Sequence, residues 1–159
     1  METLLKHWPA NMWIQTPLEL TDRLLTEHDI KKDDIAEIIV DPPTYLRMYY
    51  SPDGYSSMMQ AQFSIPYMLA CLILDHTPGA NWCDETKLKD SEILALAAKI
   101  HGGNSDMLYM PQCFKNFQKG RHPVITVTIK TFSGKEYSET MEGHLGHPRM
   151  MMTPEQFKD

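Results

Sequence analysis

Between Asp53 and Asp75 the chain carries no Asp, Glu, Lys or Arg, and residues 60–75, QAQFSIPYMLACLILD, are its most apolar stretch. This stretch limits the fold more than any other. Its fully apolar part, Tyr67 to Leu74, is far shorter than the roughly 20 residues a bilayer requires. A helix that is apolar on all sides and polar at its ends belongs inside a globular core. Ser64 is the expected N-cap, its hydroxyl accepting from an orphan backbone N–H. Pro66 then falls in the first turn, where a missing N–H costs little. Ser64 to about Leu74 is therefore expected to be a helix enclosed by other elements, with a polar start that could face a ligand.

The 159 residues suit a single domain (1–159) with a sizeable core. Hydrophobic content of 42% and charged content of 23% are ordinary for a globular protein. A net charge of -6 argues against nucleic acid or an anionic membrane as the main partner, because both demand a basic surface. It leaves room for an anionic small substrate held by a local cluster of cations. The cysteines, Cys71, Cys83 and Cys113, are odd in number and well separated, so neither a disulfide framework nor a CxxC site is expected. Cys71, inside the apolar helix, reads as a small hydrophobe. The N-terminal segment lacks the apolar core of a secretory signal, and a reduced, cytoplasmic protein is the expectation. The methionines at 58–59 and 150–152 lie in loop-like regions and read as packing filler against another surface.

Thr16 to Glu19, TPLE, has the form of a capping box, and the apolar spacing predicts a helix from about 17 to 28. DIAEIIV alternates and predicts a strand over about 35–40, stopped by the prolines at 42 and 43. Residues 41–62 form a long loop rich in tyrosine, and loops of that length inside a compact domain tend to be functional. Ile93, Leu96, Ala97 and Ile100 share one face of a helix over 90–100, capped by Asp90 or Ser91 and ended by the glycines at 102–103. Residues 122–143 alternate on both sides of Ser133–Gly134 and predict a β-hairpin. TPEQF near the end opens a further helix. The predicted fold class is α+β: a two-layer sandwich, a mixed or antiparallel sheet with helices on one face.

No metal pattern stands out. His144 and His147 in HLGH lie three apart in a loop with no third ligand nearby, and Cys113 reads as structural rather than nucleophilic. One constellation suits an anion. KHWP brings Lys6, TYLRMYY brings Arg47 with three tyrosines, and QAQFS opens the apolar helix. A helix N-terminus offers donors and the positive end of a dipole, and cations with tyrosine hydroxyls would complete a carboxylate site. The competing possibility is that these are ordinary loop residues.

These segments, in this order, resemble the MmgE/PrpD family, which includes 2-methylcitrate dehydratase, cis-aconitate decarboxylase and iminodisuccinate epimerase. The second domain of that family begins with Lys-x-x-Pro, here KHWP, followed by a helix and an I-x-x-I-x-V strand, here IAEIIV. An A-x-x-S-x-x-Y-x-x-A helix follows, here AQFSIPYMLA, then a hairpin, here VTIKTFSGKEY, and a closing turn, here GHPRMMMTPEQF. Each motif is weak alone, and their order and spacing carry the resemblance.

The resemblance implies the smaller lid domain of a lyase or isomerase acting on small di- or tricarboxylates, with no metal and no organic cofactor. The larger helical domain of the family, which supplies histidines and an aspartate, and the final C-terminal helix have no counterpart in these residues. The implied partners are a small polycarboxylate, that helical domain from the same protein or a neighbouring chain, and a further copy in a homo-oligomer such as a dimer. Propionate metabolism is the implied setting for the dehydratase branch. Lys6 matches the substrate-facing lysine, and Tyr49 the active-site tyrosine of the decarboxylase branch, with Tyr50 or Tyr45 as other matches. Gln62 and Ser64 occupy the helix start, and His144 or His147 the closing turn. Lys6 and Tyr49 are thus expected in catalysis, and Arg47, Gln62, Ser64 and His147 in substrate binding. Lys6 and Tyr49 should lie on one side of the domain, and Trp8, Trp13 and Met58–Met59 should face the helical domain. The alternative is a stand-alone binding or interaction module that kept the fold without the chemistry.

Overall fold

The computed structural model describes residues 5–146 and 151–154. A short 3-10 turn, Met12–Ile14, runs directly into helix α1, Gln15–Glu27. Strand β1, Ile35–Asp41, follows and ends at the cis Asp41–Pro42 bond. Helix α2, Met58–Gln62, leads into α3, Ile65–Leu74, and α4, Ser91–Ala97, comes next. Then come β2, Ile100–Gly102, α5, Met110–Phe117, and the hairpin β3, Val124–Thr131, with β4, Glu136–Glu142.

The strand order is β2-β1-β3-β4. β1 and β2 run parallel, while β1–β3 and β3–β4 are antiparallel, so the sheet is mixed, as expected. Ile38 and Val40 of β1 stand opposite Ile129 and Val127 of β3, and all four are buried. The alternate positions, Thr126 and Thr128, turn to the other face, where their hydroxyls pair with Thr140 and Ser138. One face is therefore apolar and covered, the other polar and open. α1 packs on β3 and β4, and α3 packs between α1 and α4.

α3 is the core helix the sequence predicts. Every residue from Ile65 to Ile73 is buried, because neighbours cover it all round. Ser64 caps it by accepting from Tyr67 N, and Pro66 sits in the first turn. No helix of the described residues is long and apolar enough to cross a membrane.

Four expectations are corrected. The Thr16–Glu19 capping box does not form. Asn11 caps the preceding 3-10 turn instead, α1 already starts at Gln15, and Thr16 is left to bond the Gly143 carbonyl. The helix expected over 90–100 ends at Ala97. Ile100 lies in β2 opposite Ile38, so its apolar side chain serves the sheet. The 41–62 loop contains α2, capped by Ser57, and residues 110–117 form α5 with Pro in its first turn. Trp8 is buried: its ring stacks on Trp82 with centroids 6.1 Å apart. Trp13 is half-buried against Phe114, while Met58 and Met59 are exposed.

Candidate functional site

Three chain segments carry the residues expected at the site. The first is residues 5–10, which carries Lys6. It has no regular structure of its own, and neighbouring groups hold it in place. Gln15, fully buried at the start of α1, accepts from the backbone N–H groups of His7 (3.1 Å) and Trp8 (2.9 Å) through Oε1. Its Nε2 donates to the carbonyls of Trp8 (3.0 Å) and Ala10 (3.2 Å). One turn later, Glu19 Oε2 accepts from His7 Nδ1 at 3.2 Å and from Trp8 Nε1 at 3.3 Å. Leu5 is gripped from the other side. Its N–H donates to Gly146 O at 3.0 Å, and its carbonyl accepts from His144 Nε2 at 3.3 Å. Gly146 has φ +92, and a Cβ there would lie 2.5 Å from Leu5 O, so both the backbone angle and the close approach call for glycine. Lys6 itself is exposed, and its ammonium donates to Ala10 O at 3.3 Å.

The second segment is the turn over 44–50. Arg47 lies with its guanidinium 4.5 Å above the Phe63 ring, a cation–π contact. It donates to Leu46 O at 3.1 Å, while its Nε is buried with no hydrogen-bond partner among the described residues. Burial lowers the guanidinium from its ordinary value, yet arginine stays charged under physiological conditions. Tyr49 is 49% exposed, with its ring edge-on to Tyr55 at 5.8 Å. Of its neighbours, Tyr45 is exposed beside Tyr109, Tyr50 packs on the core, and Tyr55 is buried.

The third segment is the α2–α3 junction, which ties the other two together. The Gln62 carbonyl accepts from Asn11 N at 3.2 Å, next to the Ala10 that Lys6 touches. Arg47 O accepts from Ile65 N at 2.8 Å, directly after Ser64. Ser64 is 0% exposed, and its hydroxyl bonds Tyr49 O at 2.5 Å, Tyr55 Oη at 2.8 Å and Tyr67 N at 3.2 Å. Arg47, Tyr49 and Ser64 are thus tied together at the start of α3, while Lys6 bonds Ala10, whose neighbour Asn11 bonds the Gln62 carbonyl. Ser64 is an internal fastener, its hydroxyl turned into the fold. The Gln62 side chain is half-buried. His147 lies outside the described residues, and its neighbour His144 is buried against Leu5.

Burial would raise Glu19, but hydrogen bonds and charge from His7, the Trp8 indole and Arg23 overcome it and hold the carboxyl below its ordinary value. Asp22, one residue-triplet away, is raised by burial and by Glu19's charge. Gln15 and Glu19 are the contributors that the sequence does not single out. Their i,i+4 spacing near the start of α1, close in sequence to KHWP, is the signal that could have found them. A separate, mainly apolar cleft of about 440 Å³, its open mouth included, lies between Trp13, Thr16, Phe117, His122 and His144. It adjoins the Leu5 anchor through His144. Among the described residues no group of three His, Cys, Asp or Glu side chains is placed to hold a metal ion.

The sequence model of the MmgE/PrpD C-terminal domain matches residues 8–159. The chain belongs to the MmgE/PrpD family. No curated protein matches the chain. Arg47, Tyr49, Gln62 and Ser64 all fall within the matched MmgE/PrpD residues, while Lys6 lies two positions before the first of them. The MmgE/PrpD domain therefore accounts for the fold from Trp8 onward, and the Lys6 segment is joined to it by Gln15, Glu19 and the 143–146 turn.

Proposed function

We propose that this chain is the smaller α+β domain of a lyase or isomerase acting on small di- or tricarboxylates, in the manner of 2-methylcitrate dehydratase. The observation that supports the proposal is that the chain on either side of Lys6 and of Arg47, 41 positions apart, hydrogen-bonds to the α2–α3 junction through Asn11 N–Gln62 O and Ile65 N–Arg47 O in a domain of this family. The Lys6 ammonium pairs a substrate carboxylate, or the enolate charge that develops when the adjacent carbon loses a proton. Arg47 takes a second carboxylate, for which a guanidinium fork is well shaped. Tyr49, exposed two positions after Arg47, hydrogen-bonds the substrate or moves a proton. Gln62 contributes an amide at the rim, Ser64 holds the Tyr49 backbone from behind, and His147 belongs to the closing turn. Binding and charge stabilisation are the work of these residues. Proton abstraction falls to histidines and an aspartate of a helical domain, from the same protein or a neighbouring chain. The exposed Met58 and Met59, and the exposed pair Tyr45 and Tyr109 with Leu46, suit that contact, since exposed apolar groups of this kind mark interaction surfaces. A cytoplasmic homo-oligomer without metal or organic cofactor is the setting proposed for it.

The experiment is to combine the chain with the helical domain of an MmgE/PrpD protein and assay dehydration of 2-methylcitrate, decarboxylation of cis-aconitate and epimerisation of iminodisuccinate. Turnover of one of these, reduced about 100-fold or more by Lys6→Met, is the expected result. Turnover that Lys6→Met leaves intact would remove Lys6 from the site. A well-folded complex that turns over none of the three would favour a non-catalytic binding module.

A further inference from the structure

We propose that Gln15 is a positioning residue: it fixes the 5–10 segment so that the Lys6 ammonium is held at the Ala10 carbonyl, next to the Asn11 that bonds the α2–α3 junction. This deepens the proposed carboxylate site and rests on it for the meaning of Lys6, though not for the clamp itself. The decisive juxtaposition is at one carbonyl. Ala10 O accepts from Gln15 Nε2 at 3.2 Å and from Lys6 Nζ at 3.3 Å, so the buried amide and the exposed ammonium meet on the same atom.

A lysine side chain carries four rotatable bonds, and an exposed one ordinarily samples many rotamers. Presenting its charge in one place requires the backbone beneath it to be fixed first. Residues 5–10 lie outside any helix or strand, so their backbone groups need other partners. Gln15 supplies four of these bonds, two as acceptor and two as donor, the complement of a neutral amide with both ends engaged. Neither Glu nor Leu can supply both kinds. Glu19 adds the His7 and Trp8 side-chain bonds, and His144 and Gly146 hold Leu5. Lys6 is thus flanked on both sides by anchored residues. These bonds engage the backbone of Leu5, His7, Trp8 and Ala10, and a connected polar network of this kind favours a single conformation. A site whose first contacts are fixed before the ligand arrives loses less freedom on binding.

The test uses the full chain with Gln15→Leu, which removes all four bonds, and Gln15→Glu, which keeps the acceptor and loses the donors. Amide hydrogen exchange at His7 and Trp8 is followed beside that of Met68–Leu72. Acylation of Lys6 by an activated ester is followed by mass spectrometry beside that of Lys31, and tricarballylate serves as the carboxylate probe. Both variants should speed exchange at His7 and Trp8 and raise Lys6 acylation at least about tenfold, with Met68–Leu72 and Lys31 unchanged. Tricarballylate binding should weaken, and the weakening should vanish when Lys6→Met is already present. Exchange and acylation at Lys6, His7 and Trp8 that stay at wild-type levels would overturn the proposal. So would a loss of binding that persists undiminished in the Lys6→Met background. If the wild-type chain binds no tricarballylate, the carboxylate site fails, and the exchange and acylation results alone decide the clamp. If Gln15→Leu does not fold, Gln15→Glu carries the test.

Discussion

Glu19 is a carboxylate with its side chain 10% exposed, and it stays ionised because His7, Trp8 and Arg23 surround it. Its folded pKa lies below the ordinary value of 4.5, so the stability it contributes is complete above that value and is lost as pH falls through the folded pKa. Glu19→Gln should cost about 1–2 kcal/mol near neutral pH and progressively less in acid, measured by urea unfolding across the pH range. Asp22 works in the opposite sense. Burial and Glu19 raise its pKa, so its ionised form opposes folding as pH rises, and Asp22→Asn should leave stability equal or greater near neutrality. The thiols give a second expectation at this scale. Burial pushes Cys71 up to about 12 and Cys83 to about 11, and Cys113 is also raised and buried. In the native protein none should react with an aryl disulfide reagent on the timescale of a free thiol, and all three should react after unfolding in urea. The sequence already marks Cys71 as a buried hydrophobe and Ser64 as a cap, because both follow from the apolar run around them. It does not reveal that the Ser64 hydroxyl also fastens Tyr49 and Tyr55, or that Gln15 clamps residues 7–10. Those bonds join side chains to backbone groups whose positions only the folded chain defines.

Among the elements, α3 is the one that local signals specify most completely: an uncharged run, a serine cap and a proline in the first turn all agree. Leu72 in its middle is fully buried, and Leu72→Ala should cost about 2–5 kcal/mol in urea unfolding. A loss below about 1 kcal/mol would mean that α3 is not the core. The β3–β4 hairpin was equally legible, since two alternating runs flank a Ser-Gly turn in which Gly134 takes φ +83. β2 was not. Its three residues follow an amphipathic helix whose period Ile100 happens to continue, and only pairing with β1 makes it a strand. α1 begins two residues before the expected start for a similar reason. Its capping residues Thr16 and Glu19 are drawn to Gly143 and to His7 and Trp8, contacts that local sequence does not encode.

For the whole molecule, the family and its α+β architecture follow from the order of weak motifs, none of which is decisive alone, and the match over residues 8–159 agrees with that order. The proposed site is legible only in part, because it draws on segments far apart in sequence and its clamp residues carry no motif. On the proposed function the chain supplies half a cleft, which leaves a carboxylate solvated and its charge screened, so the chain by itself should bind such a ligand weakly and turn over neither 2-methylcitrate nor cis-aconitate above buffer. Its exposed Tyr45, Leu46, Met58 and Met59 should promote association, seen by light scattering as a species larger than 18.4 kDa. The central claim is that cations held at the start of α3 form a carboxylate site. Titrating isotope-labelled chain with tricarballylate and following backbone and side-chain NMR resonances tests it most directly. The account predicts saturable shifts centred on Lys6, Arg47, Tyr49 and Gln62, abolished by Lys6→Met. Shifts absent from these residues, or spread evenly over the exposed lysines, would contradict it.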